Sequence, residues 1–224
     1  MTPPAPYDRL RAAVLSLDLL PGEGLSERGL ESLLAASRTP IRAALMRLEN
    51  EGLTVRDGRS WRVAPIDLSE IRAVMEFREA AEVAVVTLAV ERADEAELDS
   101  FAALLDESGT HDDADTVLRD GSDFHIALAR LSRNPFLVDA VSGALLRLSR
   151  TRWLEVRSAA SRAQARAEHR EIVAAIAARD PERARELVIA HGRGTRDRVL
   201  AVLSAERGRL RGRGLSIVES AVTR

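Results

Sequence analysis

From Ser69 to about residue 206, apolar side chains recur at the spacing of a helix and never at the two-residue spacing of a strand. Such a stretch can bury its apolar stripes only by packing helix on helix. Six segments carry the pattern: "LSEIRAVMEFREAAEVAVVTLAVERA", "DEAELDSFAALLDE", "TVLRDGSDFHIALARL", "NPFLVDAVSGALLRLSRTRWLEVRS", "SRAQARAEHREIVAAIAARD" and "PERARELVIAHGRGTRDRVLAVLSAER". "SGTHDDAD" reads as a loop, and a proline opens the last helix. Aromatic residues make up only 3% of the chain, and Ala, Leu and Arg dominate, which favours helix further. The expected architecture is a bundle of about six helices.

The first 66 residues are organised differently. "YDRLRAAVLSLDLL" spaces Leu10, Val14, Leu17 and Leu20 as one helical face, and "PGEGL" ends it. Ser26 is placed to cap a short second helix, with Leu25, Leu30, Leu33 and Leu34 toward a core. After a tight connection comes "SRTPIRAALMRLENEGL". Here Thr39 is the expected N-cap, Pro40 the first helical residue, and Ile41, Leu45 and Leu48 the buried stripe. Gly52 suits a left-handed cap, with Leu53 folding back. "LTVRDGRSWRVAPI" then places two strand-prone runs around an Asp-Gly turn, and Trp61 is expected to pack this hairpin on the helices. Helix, helix, turn, helix, hairpin is the order of a winged helix-turn-helix. The expected domains are therefore 1–66, a winged helix-turn-helix; 67–207, an all-helical domain; and 208–224, a basic flexible tail.

Charge supports this division. The net charge of -2 hides +1 over residues 1–66 (nine Arg, eight acids), -7 over 67–206 (19 Arg, 26 acids) and +4 over 207–224 (five Arg, one acid). Residues 38–62 alone hold six Arg against three acids, a basic patch joined to an acidic body, as a reader of polyanions would have. All 33 basic residues are arginine, which excludes Schiff-base lysines and lysine-bearing phosphate loops. There is no cysteine, so disulfides, thiol nucleophiles and thiolate metal sites are excluded as well. No apolar run approaches the ~20 residues that span a bilayer. "MTPPAPYDRL" is not a secretory signal, which suits a cytoplasmic protein.

The organisation resembles the GntR family of bacterial transcription regulators, in the FadR-like subfamily with an all-helical, FCD-type ligand-binding domain, which makes 67–207 the expected effector-binding and dimerisation domain. "LLPGEGLSERGLESLLAASRTPIRAALMRLENEGL" carries the N-terminal likeness, and "FREAAE", "FHIALARLSRNPFL" and "EHREIVAAIAARDPERARELVIAH" the C-terminal one. Two positions depart from the family pattern: Ala43 stands where glutamate is usual, and the wing tip is Arg59-Ser60 rather than Arg-Gly. In such a domain the third helix enters the major groove, its N-terminal side chains against base edges. Resemblance and geometry nominate Arg38, Thr39, Arg42, Arg47 and Arg59. Arg38 and Arg42 are the candidates for base reading, and Thr39, Arg47 and Arg59 for backbone or minor groove. The resemblance further implies a homodimer on a near-palindromic double-stranded operator, with binding that weakens as salt rises.

Of four histidines, His111 lies in the acidic loop without evident role. The others, scattered over three segments, say little alone. The resemblance implies a divalent metal, zinc or similar, held by an aspartate and three histidines, and His125, His169 and His191 match the three. The aspartate position is Gly121, flanked by Asp120 and Asp123. Either a bulge or helix start near Gly121 brings Asp120 round, or water or a ligand carboxylate completes the shell. Arg78, in "FREAAE", matches an arginine that meets the carboxylate of a small organic acid effector; the alternative is an ion pair with Glu82, one turn on. Asn134 is expected to cap the helix that starts at Pro135. The function these residues imply is a non-enzymatic regulator, a repressor, whose operator binding responds to a small carboxylate. An architectural DNA-binding dimer and a metal-dependent hydrolase are the alternatives.

Overall fold

The structure is a computed structural model that describes residues 5–108, 114–152, 154 and 158–220. His111 therefore lies outside the described residues. The chain divides into two compact units: residues 1–70 with 203–224, and residues 71–202.

The first unit holds α1 (Pro6–Leu15), α2 (Glu27–Leu34) and α3 (Arg38–Asn50). Their partner is an antiparallel sheet in the order β1 (Gly24–Leu25), β3 (Ser60–Val63), β2 (Thr54–Asp57). Leu10, Val14, Leu30, Leu34, Ile41, Leu45, Leu48 and Trp61 are buried as expected, but α1 ends at Leu15, so Leu17, at φ +64°, and Leu20 fall outside the helix and are only half-buried. Leu33 is not buried: it is 49% exposed, because Leu30 and Leu34, one turn apart, take the inward face of α2. Ser26 caps α2, its hydroxyl accepting from the Gly29 N–H at 3.0 Å. α3 starts earlier than its sequence suggests. Its N-cap is Ser37, which puts Arg38 and Thr39 inside the first turn and Pro40 third. Proline is tolerated there because the N–H groups of a first turn have no helical partner. At the other end Gly52 takes φ +74°, its N–H reaches Glu49 O at 2.9 Å and the Leu53 N–H reaches Leu48 O at 2.9 Å. This double closure needs the left-handed residue that glycine supplies.

The tail is not loose. α9 (Pro181–Gly212) continues past residue 208, and β5 (Ile217–Val218) pairs in parallel with β4 (Ile66–Asp67). The Ile66 N–H donates to Ser216 O at 2.9 Å, the Ser216 N–H to Pro21 O at 2.8 Å, and the Ser69 hydroxyl to Ser220 O at 2.7 Å. Leu215 and Ile217 are buried. Gly22, at φ +89°, is held where any Cβ would lie 2.4 Å from Ser216 Cβ. Over residues 208–220 the expectation of a flexible tail fails because their order comes from contacts distant in the chain, to which local composition is blind; residues 221–224 lie outside the described residues. Deleting residues 213–224 should therefore lower the melting temperature, since burial of Leu215 and Ile217 is worth about 1.5–3 kcal/mol each. It should also speed hydrogen exchange at the Ile66 amide; unchanged melting and exchange would show that the tail holds nothing.

The second unit is made by α4 (Leu68–Arg92) from Ile71 on, α5 (Glu95–Ser108), α6 (Ala114–Leu131), α7 (Pro135–Arg152), α8 (Ala159–Ala177) and α9 up to Val202. All six feed one core, through Val85 and Val86, Phe101, Phe124 and Leu128, Val141, Ile172 and Ile176, and Val188. Asn134 does cap α7, its side-chain oxygen accepting from the Phe136 N–H at 3.1 Å. α7 ends at Arg152, short of the expected Ser158. Ser158 instead caps α8 in a reciprocal pair with Ser161.

Candidate nucleic-acid interface and histidine pocket

α2, a tight turn with Ala35 at φ +44°, and α3 form the helix-turn-helix. The start of α3 stands in solvent: the Arg38 and Arg42 side chains are 65% and 61% exposed. Neither swings freely. Arg38 Nε donates to Glu31 Oε1 at 3.0 Å, and Arg42 uses Nε and Nη2 on the two Glu27 oxygens at 2.9 and 3.0 Å. The hydrogen bond from Arg42 holds the Glu27 carboxyl below its usual pKa, and Glu27 in turn raises that of Arg42. Surface pairs of this kind hold weakly. They orient the two forks along α3 and yield to a stronger acceptor. Thr39 lies between them, lining the same shallow hollow as Ala43 and Met46.

Arg47 is placed otherwise. Its guanidinium lies 3.7 Å above the Tyr7 ring centre and 3.5 Å from Glu51, so part of its charge is spent on α1 and on its own helix. Arg59 is exposed at the tip of the hairpin, in a two-residue turn whose first member, Gly58, has φ +60°. Below it Arg56 covers the buried Trp61 ring at 3.8 Å, which fixes the hairpin's inner face.

The second site is buried in the helical unit. α6, α8 and α9 bring His125, His169 and His191 together, with one ring nitrogen from each lying within 4.8 Å of the others. All three are buried. Phe124 stacks on His169 at 3.7 Å between ring centres and closes one side. α4 adds Arg78 and Glu82, both 1% exposed. Arg78 Nε donates to Glu82 Oε1 at 2.8 Å, and Arg78 Nη2 lies 2.7 Å from His125 Nε2. Glu82 Oε1 also lies 3.0 Å from His125 Nδ1. Because a guanidinium can only donate, His125 carries its hydrogen on Nδ1, toward Glu82, and its lone pair on Nε2, toward Arg78. Burial, and then the Arg78 charge, push the His125 pKa down to about 3, so the ring is neutral. Burial alone would raise the Glu82 pKa; the Arg78 charge, with His125, outweighs it and drives it well below the carboxylate range. Glu168 meets His191 Nδ1 at 2.7 Å in a second carboxylate–imidazole pair. Arg78 Nη1 is buried with no hydrogen-bond partner among the described residues.

Comparison with known proteins assigns these sites to a family. Residues 6–63 match the bacterial regulatory proteins of the gntR family, and residues 73–194 match the FCD domain. The chain belongs to the GntR family. The Nta operon transcriptional regulator of Aminobacter aminovorans is 31% identical over 84% of this chain and 90% of its own. An HTH-type transcriptional regulator in an unstable DNA locus of Streptomyces ambofaciens is 32% identical over 85% and 82%. The solved E. coli McbR/YncC shares the fold, with a TM-score of 0.72 at 21% identity over 90% of this chain and 96% of that one. This protein is therefore a DNA-binding transcriptional regulator of the GntR type with an FCD domain, a family whose members act as dimers. Among its described residues, no helix is long and apolar enough to cross a membrane.

In this GntR regulator the three histidines converge, and of the alternatives for the fourth position the bulge or helix start at Gly121 is not the one taken. α6 runs through Gly121 as regular helix, and among the described residues no carboxylate belongs to the histidine cluster. Asp120 is thus not brought round. The ion pair of Arg78 with Glu82, the alternative read from their one-turn spacing, is present. Sequence reading missed three other acids that hold these groups: Glu27 and Glu31 under the α3 arginines, and Glu168 behind His191. Glu27 and Glu31 are one helical turn apart on α2, and Glu168 directly precedes His169; those spacings were the available signal.

Proposed function

We propose that this regulator is a homodimeric repressor of a near-palindromic operator, relieved by a small carboxylate bound in its helical unit. The observation that carries it is the buried Arg78 guanidinium, which keeps one nitrogen without a partner beside three converging imidazoles. A buried donor of that kind costs stability unless something accepts from it, and a carboxylate is the acceptor a guanidinium fork fits best. On the DNA side, Arg38 and Arg42 read base edges, while Thr39, Arg47 and Arg59 hold the backbone or minor groove.

The donor set also fits a divalent metal of the zinc kind. His125 is neutral, and the carboxylates of Glu82 and Glu168 sit on the outer nitrogens of His125 and His191, as second partners of metal-bound imidazoles commonly do. A tetrahedral ion spaces its nitrogen ligands about 3.4 Å apart, so the rings must draw in slightly. Bound there, the ion would supply an electrophilic point for a ligand carboxylate, taking the place of the missing aspartate. His125 Nε2 can serve either the metal or Arg78. Occupation by metal thus frees the guanidinium to turn to the ligand. Repression then responds to ligand only if the ligand favours one operator-binding state over another.

Thermal melting of tag-free protein tests both parts. Zinc at 100 times its dissociation constant should stabilise by about 2.7 kcal/mol, and His169→Ala should abolish that shift. At least one small carboxylate should raise melting and weaken operator binding together. If none does either, the architectural reading stands instead.

A further inference from the structure

The inward stripe of α8 runs back from Ile176 through Val173 to His169, all buried. Helical spacing carries the same stripe on to Arg166 and Arg162, both half-buried. On α9 the buried Val188 and His191 are followed at one-turn steps by Thr195, 2% exposed, and by Arg198. The two helices run antiparallel: Arg183 pairs with Glu171, and farther from their joint His191 and Arg198 both approach Glu168. Both stripes therefore turn basic on the same side of the histidine cluster. Arg166 stands about 4.5 Å of helix rise beyond His169, and Arg198 about 10 Å beyond His191.

The donors at this end of the pocket are not used up. Arg166 Nη1 is buried with no hydrogen-bond partner among the described residues. Its one-turn neighbours on α8 are Arg162, Ala163, His169 and Arg170, none of them a carboxylate. Thr195 accepts from Arg198 Nη2 at 3.0 Å, and its own hydroxyl hydrogen meets no acceptor among the described residues. Glu168 does not fill the gap. Gln164 takes one of its oxygens at 2.8 Å and His191 the other at 2.7 Å, with Arg198 3.8 Å away. Buried donors left in this way cost stability until an acceptor arrives, and guanidinium forks suit an oxyanion best.

We infer that the ligand of the histidine pocket is a two-headed acid, whose second oxyanion, a carboxylate or a phosphate, is received by Arg166 and Thr195 beside Arg198. This rests on the carboxylate reading above and narrows its ligand class. The first carboxylate meets Arg78 at the histidines, and a short carbon chain leads from there along α8 and α9. The second oxyanion also relieves the repulsion between Arg162 and Arg166, like charges one turn apart.

Calorimetric titration of the full chain with three acids of matched length tests it: valerate, glutarate and 4-phosphonobutyrate. At least one of the two-headed acids should bind the wild type about tenfold or more tighter than valerate, and the tighter of them identifies the oxyanion. In Arg166→Met that advantage should shrink to within about threefold, while valerate affinity holds within about twofold because Arg78 is untouched. The variant should also melt no lower than wild type, since the nitrogen it loses had no partner. Melting several degrees lower would mean that Arg166 already has an acceptor inside the subunit, and overturns the inference. An advantage that survives in Arg166→Met overturns it as well. Equal binding of all three acids to the wild type removes the second oxyanion and leaves the single-carboxylate reading in place. If none of the three binds, the two-headed acid falls, and the carboxylate reading falls with it only when the wider melting screen is also blank.

Discussion

Glu82→Ala should melt about 6–20 °C below the wild type, the largest loss expected from any single substitution in the helical unit. Arg78 and Glu82 sit one helical turn apart on α4, each 1% exposed, and His125 bridges them. Taking both charges out of water is costly, and only their mutual attraction and hydrogen bonds offset it. With Glu82 gone, the Arg78 charge stays buried with no carboxylate facing it, which costs about 3–5 kcal/mol. The double variant Arg78→Met/Glu82→Leu should recover much of the loss, because an apolar pair of similar volume leaves no charge stranded. Calorimetry on the three proteins decides the matter. A Glu82→Ala protein that melts within about 2 °C of wild type would mean that water reaches Arg78 and that the pocket is not dry.

Arg42→Ala should weaken operator binding about 30-fold or more, since a two-fold symmetric dimer loses the contact in both half-sites at once. It should also relax the preference for the base pair that Arg42 reads. Arg59→Ala should behave differently, weakening all sequences alike and lowering the salt dependence. Arg47→Ala should cost least of the arginines, because its guanidinium is already engaged by Tyr7 and Glu51. Fluorescence anisotropy on matched and scrambled duplexes at two salt concentrations separates these outcomes. If Arg42→Ala binds the operator as tightly as wild type, α3 does not read bases through that side chain.

The amino-acid sequence by itself determined the two kinds of unit. Helical periodicity is written in neighbours three and four apart, so the six-helix bundle and the α1–α2–α3 order could be read residue by residue. The tight hairpin turn that follows Asp57, at Gly58 and Arg59, and the left-handed site at Gly52 were legible for the same reason: each is settled within one turn of chain. Resemblance also singled out His125, His169, His191 and Arg78 before any contact was known.

Only the tertiary structure decided what those residues meet. Arg78 falls between Glu82, one turn away, and His125, 47 positions away. Arg42 is gripped by Glu27, 15 positions earlier. The tail is held by Pro21, Ile66 and Ser69, far back in the chain. Apart from the one-turn pair Arg78–Glu82, no local pattern records such pairings. They arise because burial brings distant segments together and then leaves each polar group to find whatever partner the packing has put in reach, which is a property of the whole fold rather than of any segment of it.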